Sequence, residues 1–236
     1  MAYPPIEEFG KMIDYAILRP DADEETIKKG CEEAKRWHFA ALCVHPCWVP
    51  IAREHLKGSD VKLCTVVGFP LGTNTKNVKI AEAKNALSLG ADELDVVANI
   101  GLFKSGKHEE FLEEIKAIVE TCKMFSLSPR RGATIIKIII ECGYLNKEEI
   151  KQAARLLLGS GADFIKTSTG FGPRGSQVED VRLIRGVVGG AMRIKAAGGI
   201  KTMNDVISFL TAGADRIGTS SAVEIMEEYR RALSKI

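Results

Sequence analysis

Two lysines and one aspartate stand where apolar runs give way to small or glycine-rich segments. Lys166 lies within "FIKTSTGFG", Lys195 lies within "MRIKAAGGI", and Asp95 lies within "DELDVV". A neutral lysine amine attacks a carbonyl carbon and forms a Schiff base, whose iminium withdraws electrons from the adjacent carbon. These residue types therefore indicate an enzyme that makes or breaks carbon–carbon bonds without a metal.

A catalytic lysine must first lose its proton, and the neighbouring residues offer a way. The ordinary pKa of a lysine is about 10.4, and burial or a nearby positive charge lowers it. We expect Lys195 to supply that charge to Lys166, and Asp95 to carry protons during addition and dehydration. A lone lysine at a strand end is more often solvated or ion-paired, so a purely structural Asp95–lysine pair is the alternative.

Lys137 interrupts the apolar run "IIKIII" and is interpreted as a supporting charge. In the middle of a strand that is buried on both faces, its side chain is expected to point into the fold. A buried ammonium group needs a partner of opposite charge. Asp95 and Asp14 are the candidate partners.

Two segments rich in glycine and serine indicate a phosphate site. "AAGGI" follows the strand of Lys195, and "GTSSAVEIMEEY" runs from the last predicted strand into a helix. Glycines let backbone N–H groups approach an anion, and a helix N-terminus attracts one. Capping of that helix by residues 219–221 is the alternative. The pattern G-x-G-x-x-G in "GFGPRG" follows five or more strands, and residues 187–197, where a dinucleotide fold would place its acidic residue, contain none, which disfavours a dinucleotide site.

The elements that carry these residues alternate along the whole chain. Eight β-type runs are predicted, separated mostly by amphipathic helical patterns. The predicted strands are 15–18, 40–44, 61–67, 92–97, 134–140, 163–166, 192–196 and 215–218, and the clearest helices are 75–89, 108–125, 147–158 and 178–187. Such alternation predicts a parallel sheet. We expect an α/β fold: a single (β/α)8 TIM-barrel domain over residues 1–236, with a short N-terminal helix.

A repeated joint between helix and strand favours the barrel. Gly-Ala-Asp precedes a short strand in "LGADELD", "SGADFIK" and "AGADRIG". Three residues beyond each aspartate stand Asp95, Lys166 and Gly218, which we expect at the carboxyl ends of their strands. In a (β/α)8 barrel that end is the catalytic face. An open doubly wound sheet could use the same joint.

Composition argues against several classes of protein. The chain has 236 residues and a net charge of +2, with 45% hydrophobic and 27% charged residues. No charge run predicts a nucleic-acid or membrane surface, and neither a signal peptide nor a membrane span is predicted. The six cysteines form no C-x-x-C pair, so reduced thiols in the cytoplasm are expected. Cys43, His45 and Cys47 lie close together, but with no second ligand cluster we expect no metal.

Taken together, these motifs resemble those of the deoxyribose-phosphate aldolases, a family of class I, Schiff-base aldolases. "DELDVVANIG", "FIKTSTGFG", "IKAAGGI" and "RIGTSSAVEI" carry the resemblance, and "IDYAIL" and "AALCVHPCWV" extend it over nearly the whole chain. The resemblance implies a (β/α)8 barrel that reversibly cleaves 2-deoxy-D-ribose 5-phosphate to D-glyceraldehyde 3-phosphate and acetaldehyde, in deoxyribose phosphate catabolism. It also implies a homo-oligomer, dimer or tetramer, that needs no cofactor.

The resemblance also implies a role for each matching residue. Lys166 would be the Schiff-base lysine, Lys195 the neighbour that perturbs its pKa, and Asp95 the proton donor and acceptor. The phosphate-binding positions would be Gly198, Gly199, Gly218, Ser220 and Ser221. The pocket positions would be Asp14, Leu18, Cys43 and Thr169, to which the strand pattern adds Lys137.

The sequence departs from the family pattern at two places. Some members carry a lysine after the TSTG motif, where this chain has Phe171, and some have a longer tail that ends in tyrosine, whereas this sequence ends at Ile236. A Schiff-base barrel that uses a different phosphorylated donor is one alternative. A non-catalytic barrel that binds a phosphorylated ligand is the other.

Overall fold

The chain forms a closed barrel of eight parallel strands surrounded by helices. A computed structural model describes residues 4–126 and 133–234, so Ile236 lies outside the described residues. The strands are β1 Ile13–Ile17, β2 Ala41–Val44, β3 Lys62–Val67, β4 Glu93–Val97, β5 Ile135–Ile139, β6 Phe164–Lys166, β7 Arg193–Ala197 and β8 Arg216–Thr219. The helices are α1 Ile6–Gly10, α2 Glu24–Arg36, α3 Val49–His55, α4 Lys76–Leu89, α5 Ile100–Lys104, α6 His108–Ser126, α7 Lys147–Leu157, α8 Val178–Val188, α9 Met203–Thr211 and α10 Ala222–Leu233.

The order of the strands confirms the predicted barrel. Each strand pairs in parallel with the next in sequence, and β1 closes the ring by pairing with β8, where Asp14 lies opposite Gly218. This closure rules out the open doubly wound sheet. All eight predicted strands, the short N-terminal helix and the four clearest helical segments are present at nearly the predicted bounds.

The first strand differs most from its prediction. It runs over Ile13–Ile17, so it begins two residues before, and ends one residue before, the predicted strand 15–18. Asp14 lies within it and is fully buried, which an apolar strand pattern does not anticipate. Its carboxylate is neutralised by Lys195 and Arg216, both of which are far from Asp14 in the sequence.

The repeated Gly-Ala-Asp joint fixes the register between neighbouring strands. Each aspartate accepts a hydrogen bond from the backbone N–H of the second residue of the preceding strand. The three bonds are Leu63 to Asp92 at 2.9 Å, Ile136 to Asp163 at 2.9 Å and Ile194 to Asp215 at 2.7 Å. Because side chains alternate along a strand, a fixed start determines which residues enter the barrel. The joint thus aims Asp95 and Lys166 inward.

The buried apolar side chains form two clusters, one outside the ring of strands and one inside it. The larger one packs the helices against the outer face of the strands. The smaller one comprises Leu18, Ala41, Cys43, Cys64 and Val66, and it fills the inner face near β2 and β3. The remaining inner face, toward β4 through β8, carries charged side chains. Within the described ranges, no helix combines the length and the apolar character that a membrane span requires.

Candidate active site

Three lysines converge on the carboxylate of Asp95 inside the barrel. Asp95 Oδ2 lies 2.7 Å from Lys166 Nζ and 2.7 Å from Lys195 Nζ, and Oδ1 lies 2.9 Å from Lys137 Nζ. All four residues are at most 3% exposed. The predicted convergence of Asp95, Lys166 and Lys195 is therefore present, and so is the predicted pairing of Lys137 with an acid.

The predicted position at the strand ends was wrong for part of this group. Lys166 is the last residue of β6, but Asp95 is the third of five residues in β4 and Lys195 the third of five in β7. The side chains of Lys166 and Lys195 start at different levels along the barrel axis, and both are long enough to reach the carboxylate of Asp95. Asp95 thus lies below the mouth, and the ammonium groups of Lys166 and Lys195 reach its carboxylate.

A second tier of charge lies next to this group. Lys137 Nζ is 2.5 Å from Glu93 Oε2, and Lys195 Nζ is 2.6 Å from Asp14 Oδ2. Arg216 joins the two acids: its guanidinium lies 2.7 Å from Asp14 Oδ1 and 3.1 Å from Glu93 Oε2. Each carboxylate of the site is therefore shared between at least two cations.

This arrangement fixes the ionisation of most of the buried groups. Burial alone would raise the pKa of Asp95, but attraction to the three lysines outweighs it and holds the pKa well below its ordinary value. Burial alone would lower the pKa of Lys195, but attraction to Asp14 and Asp95 raises it above the ordinary value. Asp95 is consequently an anion and Lys195 a cation at neutral pH. Lys195 thus keeps a positive charge close to Lys166, as predicted.

Two thiols complete the inner wall. The Cys64 thiol lies 3.2 Å from Asp95 Oδ1 and 3.5 Å from Lys137 Nζ, and burial raises the pKa of that thiol well above its ordinary value. Cys43 and Cys64 face each other across β2 and β3. Within residues 4–126 and 133–234, Cys43, Cys64 and Asp95 are the group of side chains close enough to share a metal ion. The three lysines on Asp95 oppose a cation there.

A cavity of about 350 Å³ opens above the lysines. Of the predicted residues, its wall contains Leu18, Cys43, Lys166, Thr169, Lys195, Gly198, Gly199, Gly218 and Ser220. Asp14, Asp95 and Lys137 are not part of that wall but lie beneath it, in the charged tier. Ser221 is also absent from the wall: it precedes α10, and its side chain makes no capping hydrogen bond. The wall further includes Arg19 and Lys201 at the mouth, which the sequence analysis did not single out.

Glycine at position 218 makes room for the lysine beside it. A Cβ atom there would lie 2.8 Å from Lys195 Cε, closer than real Cβ contacts, and 3.0 Å from Ala197 Cβ, tighter than most of them. At the mouth, Gly198 and Gly199 have φ of +96° and +80°, a conformation that side chains disfavour. These glycines expose backbone on one side of the cavity, which suits an anion.

The loop that follows Lys166 is held in place by Glu141. Glu141 is buried and accepts hydrogen bonds from the Thr169 backbone N–H, at 3.0 Å, and from the Thr169 hydroxyl. Phe171, which stands where some family members have lysine, is 53% exposed and packs edge-on against Phe69 at 5.4 Å between ring centroids. Thr169 thus contributes to the cavity wall from a fixed position.

Sequence reasoning missed Glu93, Arg216, Cys64 and Glu141. A signal for two of them was present, because side chains two residues apart face the same side of a strand. Glu93 stands two residues before Asp95, and Arg216 stands two residues before Gly218. Charged residues at these inward positions could have been recognised once the strands were aligned on the repeated joint.

Comparisons with known proteins agree with this geometry. The model of the DeoC/LacD family of aldolases matches residues 11–226. A protein of Caldanaerobacter subterraneus subsp. tengcongensis, named deoxyribose-phosphate aldolase, is 48% identical over 221 residues, covering 94% of this chain and 93% of its own. One of Streptococcus suis with the same name is 48% identical over 219 residues, covering 93% and 96%.

Solved structures give the same result. The structure of QR15, an aldolase, has a TM-score of 0.88 and 42% sequence identity, covering 96% of this chain and 98% of its own. A structure of deoxyribose phosphate aldolase from Aeropyrum pernix, described as a unique tetramer, has a TM-score of 0.86 and 32% identity, covering 96% and 92%. The range matched by the family model, residues 11–226, includes all eight strands of the barrel.

Proposed function

This chain belongs to the DeoC/LacD family of aldolases, and on that premise we propose that it is a deoxyribose-phosphate aldolase. The reaction would be the reversible cleavage of 2-deoxy-D-ribose 5-phosphate to D-glyceraldehyde 3-phosphate and acetaldehyde, within deoxyribose phosphate catabolism. The names of the relatives from Caldanaerobacter and Streptococcus suis support this substrate. A cavity with lysines at its floor and glycines at one side supports it independently.

We assign the chemical step to Lys166, with Lys195 and Asp95 as its partners. Lys166 reaches the cavity, and its amine is the nucleophile that attacks C1 of the open-chain sugar. Lys195 holds a positive charge against the same carboxylate oxygen, which favours loss of the proton from Lys166. Asp95 is anionic and hydrogen-bonded to both, so it accepts and returns protons through them or through water.

The reaction then proceeds through an iminium and an enamine on Lys166. The amine of Lys166 adds to C1, and loss of water yields the iminium. Removal of the C3 hydroxyl proton leads to cleavage of the C2–C3 bond. Cleavage of this bond gives products of two and three carbons. The electron pair of that bond forms the enamine, and D-glyceraldehyde 3-phosphate leaves. Protonation of the enamine at C2 and hydrolysis release acetaldehyde and the free amine.

The phosphate would bind at the side of the cavity formed by the loops after β7 and β8. Gly198, Gly199, Gly218 and Ser220 line that side, and backbone N–H groups near glycines are good donors to an anion. Phosphate sites in (β/α)8 barrels often lie after strands 7 and 8. We extend this assignment to Ser221, at the start of α10. Leu18, Cys43 and Thr169 would shape the pocket around the sugar carbons, and Asp14 and Lys137 would support it from below.

One observation carries the proposal: Lys166 Nζ and Lys195 Nζ both lie 2.7 Å from Asp95 Oδ2 at the base of an open cavity. Borohydride trapping tests it. The protein is incubated with acetaldehyde, reduced and digested, and the added mass is mapped by mass spectrometry. We expect stoichiometric ethylation of Lys166, and 2-deoxyribose 5-phosphate supplied in place of acetaldehyde should modify the same residue.

The variant Lys166→Arg keeps the charge and removes the nucleophile, so it should fold, fail to trap and lose turnover. Labelling spread over surface lysines, or near-normal turnover by this variant, would refute the assignment. A donor comparison tests the alternative of a Schiff-base aldolase with a different phosphorylated donor. We expect turnover when acetaldehyde is the donor and none when dihydroxyacetone phosphate is the donor.

The oligomeric state is a separate proposal. The Aeropyrum pernix relative is described as tetrameric, and we propose that this chain also forms a homo-oligomer. Light scattering coupled to size-exclusion chromatography measures the mass of the particle. A mass equal to that of one 25.7 kDa chain across the concentration range would exclude the proposal.

A further inference from the structure

The buried charges inside the barrel form a closed ring. Starting at Asp95, the contacts run to Lys137 at 2.9 Å, then to Glu93 at 2.5 Å, and on to Arg216 at 3.1 Å. From Arg216 they continue to Asp14 at 2.7 Å, to Lys195 at 2.6 Å, and back to Asp95 at 2.7 Å. Acids and bases alternate at every step.

This ring is electrically neutral, because it contains three carboxylates and three cations. Lys166 is the seventh charged group, and it is bonded to Asp95 from outside the ring at 2.7 Å. Each ring cation contacts at least two ring acids, and Lys137 also lies 3.8 Å from Asp14, whereas Lys166 contacts one acid that two ring cations already share. A net charge buried in a protein interior is costly. Loss of one proton from Lys166 removes that net charge.

We propose that Glu93 and Arg216 are positioning residues of the aldolase suggested above, because they complete a neutral ring of buried charges. Among the described residues, this ring leaves Lys166 as the buried cation without a counter-charge of its own. The inference rests on the proposed function for its meaning in catalysis. Neither residue lines the cavity, so neither contacts substrate. Both act through Lys137 and Asp14, which in turn hold Asp95 and Lys195.

The ionisation of the ring members agrees with this assignment. Burial on its own would lower the pKa of Lys137, Lys195 and Arg216, but attraction to the neighbouring carboxylates raises all three above their ordinary values. Attraction to the cations likewise outweighs burial and lowers the pKa of Asp14 and Asp95. These groups therefore keep their charges across the neutral range.

Each of the seven strands other than β6 places a titratable or charged side chain in the interior around Lys166. The titratable and charged side chains that face the interior are Asp14 of β1, Cys43 of β2, Cys64 of β3, Glu93 and Asp95 of β4, Lys137 of β5, Lys195 of β7 and Arg216 of β8. Arg193 of β7 stacks on Phe164 of β6 but is half exposed and pairs with Asp163 outside the ring. Burial raises the pKa of the Cys64 thiol well above its ordinary value, so that thiol is uncharged, and the ring together with Lys166 carries the charges next to Asp95.

Two charge-removing variants test the proposal because they act in opposite directions. Glu93→Gln removes an anion, leaves an excess of positive charge and makes Lys166 release its proton more readily. Arg216→Gln removes a cation, so a protonated Lys166 now balances the charge and holds its proton more tightly. One unit charge acting over about 10 Å at an effective dielectric constant of about 20 shifts a pKa by about one unit. We expect shifts of about one pH unit, downward for Glu93→Gln and upward for Arg216→Gln, and near-cancellation in the double variant.

The ionisation of Lys166 can be measured without turnover. Competitive acetylation with trace acetic anhydride at a series of pH values, followed by mass spectrometry, gives the pKa of Lys166 in each variant. The acid limb of kcat/KM for 2-deoxyribose 5-phosphate is measured alongside. The acetylation result and the activity can disagree. If acetylation shows the opposite pKa shifts while neither the wild type nor any variant cleaves the sugar, the proposed function is refuted and the electrostatic role of the ring is supported.

A matched control uses a second buried ion pair. Lys79 and Glu114 pair at 2.7 Å between α4 and α6, with side chains 0% and 6% exposed, outside the barrel interior. Glu114→Gln makes the same chemical change as Glu93→Gln, so we expect lower stability without a shift in the pKa of Lys166. Arg216→Lys, which keeps the charge, should also leave that pKa in place.

The design remains decisive if one variant does not fold. Asp14→Asn replaces Glu93→Gln, and Lys137→Met replaces Arg216→Gln, because the direction of the shift is set by the sign of the charge removed from the ring. Opposite shifts that cancel in combination support the proposal. Shifts of the same sign, or no shift in folded variants, would overturn it, since a merely structural role lowers activity without moving the pKa of Lys166.

Discussion

Replacing Lys195 with methionine isolates its electrostatic effect on Lys166. Methionine keeps an unbranched, flexible stem and removes the charge. Both ammonium nitrogens lie 2.7 Å from the same oxygen of Asp95, so they are separated by at most twice that distance, about 5.4 Å. At an effective dielectric constant of about 20, two unit charges at that separation repel each other by about 3 kcal/mol.

This energy predicts the size of the kinetic effect. About 3 kcal/mol corresponds to about two pKa units, so Lys166 in Lys195→Met should hold its proton about 100-fold more tightly. We expect kcat/KM for 2-deoxyribose 5-phosphate to fall about 100-fold at pH 7 and to recover about tenfold for each unit of higher pH. Lys195→Arg keeps the charge and serves as the control, with the acid limb near that of the wild type.

The measurement is a kcat/KM profile from pH 6 to pH 10, with D-glyceraldehyde 3-phosphate detected by a coupled dehydrogenase that is present in excess. Parallel circular dichroism shows whether the variant remains folded over that range. A loss of activity that is the same at pH 7 and pH 9 would refute the electrostatic reasoning. Lys195 would then act by moving protons and not by its charge.

Gly218→Ala should displace the side chain of Lys195, which a new Cβ would approach to 2.8 Å at Cε, and we expect a loss in kcat of at least tenfold with little change in thermal stability; unchanged kcat would show that the lysine moves aside harmlessly. Asp14 and Asp95 have pKa values below those of the unfolded chain, so their contribution to stability is present above about pH 4 and is lost as pH falls further. Urea unfolding from pH 7 to pH 3 should therefore show a falling midpoint, and a flat profile would contradict this assignment. Lys79→Met leaves a buried carboxylate unpaired and should cost about 3–5 kcal/mol in urea unfolding; a loss below about 1 kcal/mol would show that water or another group replaces the lysine.

The local sequence determined the elements and much of the site. Alternation of apolar β-type runs with amphipathic helices predicts eight parallel strands, because strands buried on both faces need apolar side chains and the crossovers need helices. The Gly-Ala-Asp joint then sets where three strands begin. Counting three residues onward identifies Asp95 and Lys166, since a fixed start and a period of two determine which side chains enter the barrel.

Only the tertiary structure decided which charges meet. Arg216 and Glu93 are 123 residues apart in sequence, and Arg216 and Asp14 are 202 apart, so no local pattern relates them. They come together because β1 pairs with β8 and closes the barrel. The same closure explains the error in β1: an aspartate in a strand is unfavourable by its local propensity, and cations from β7 and β8 stabilise it only once the ring of strands has formed.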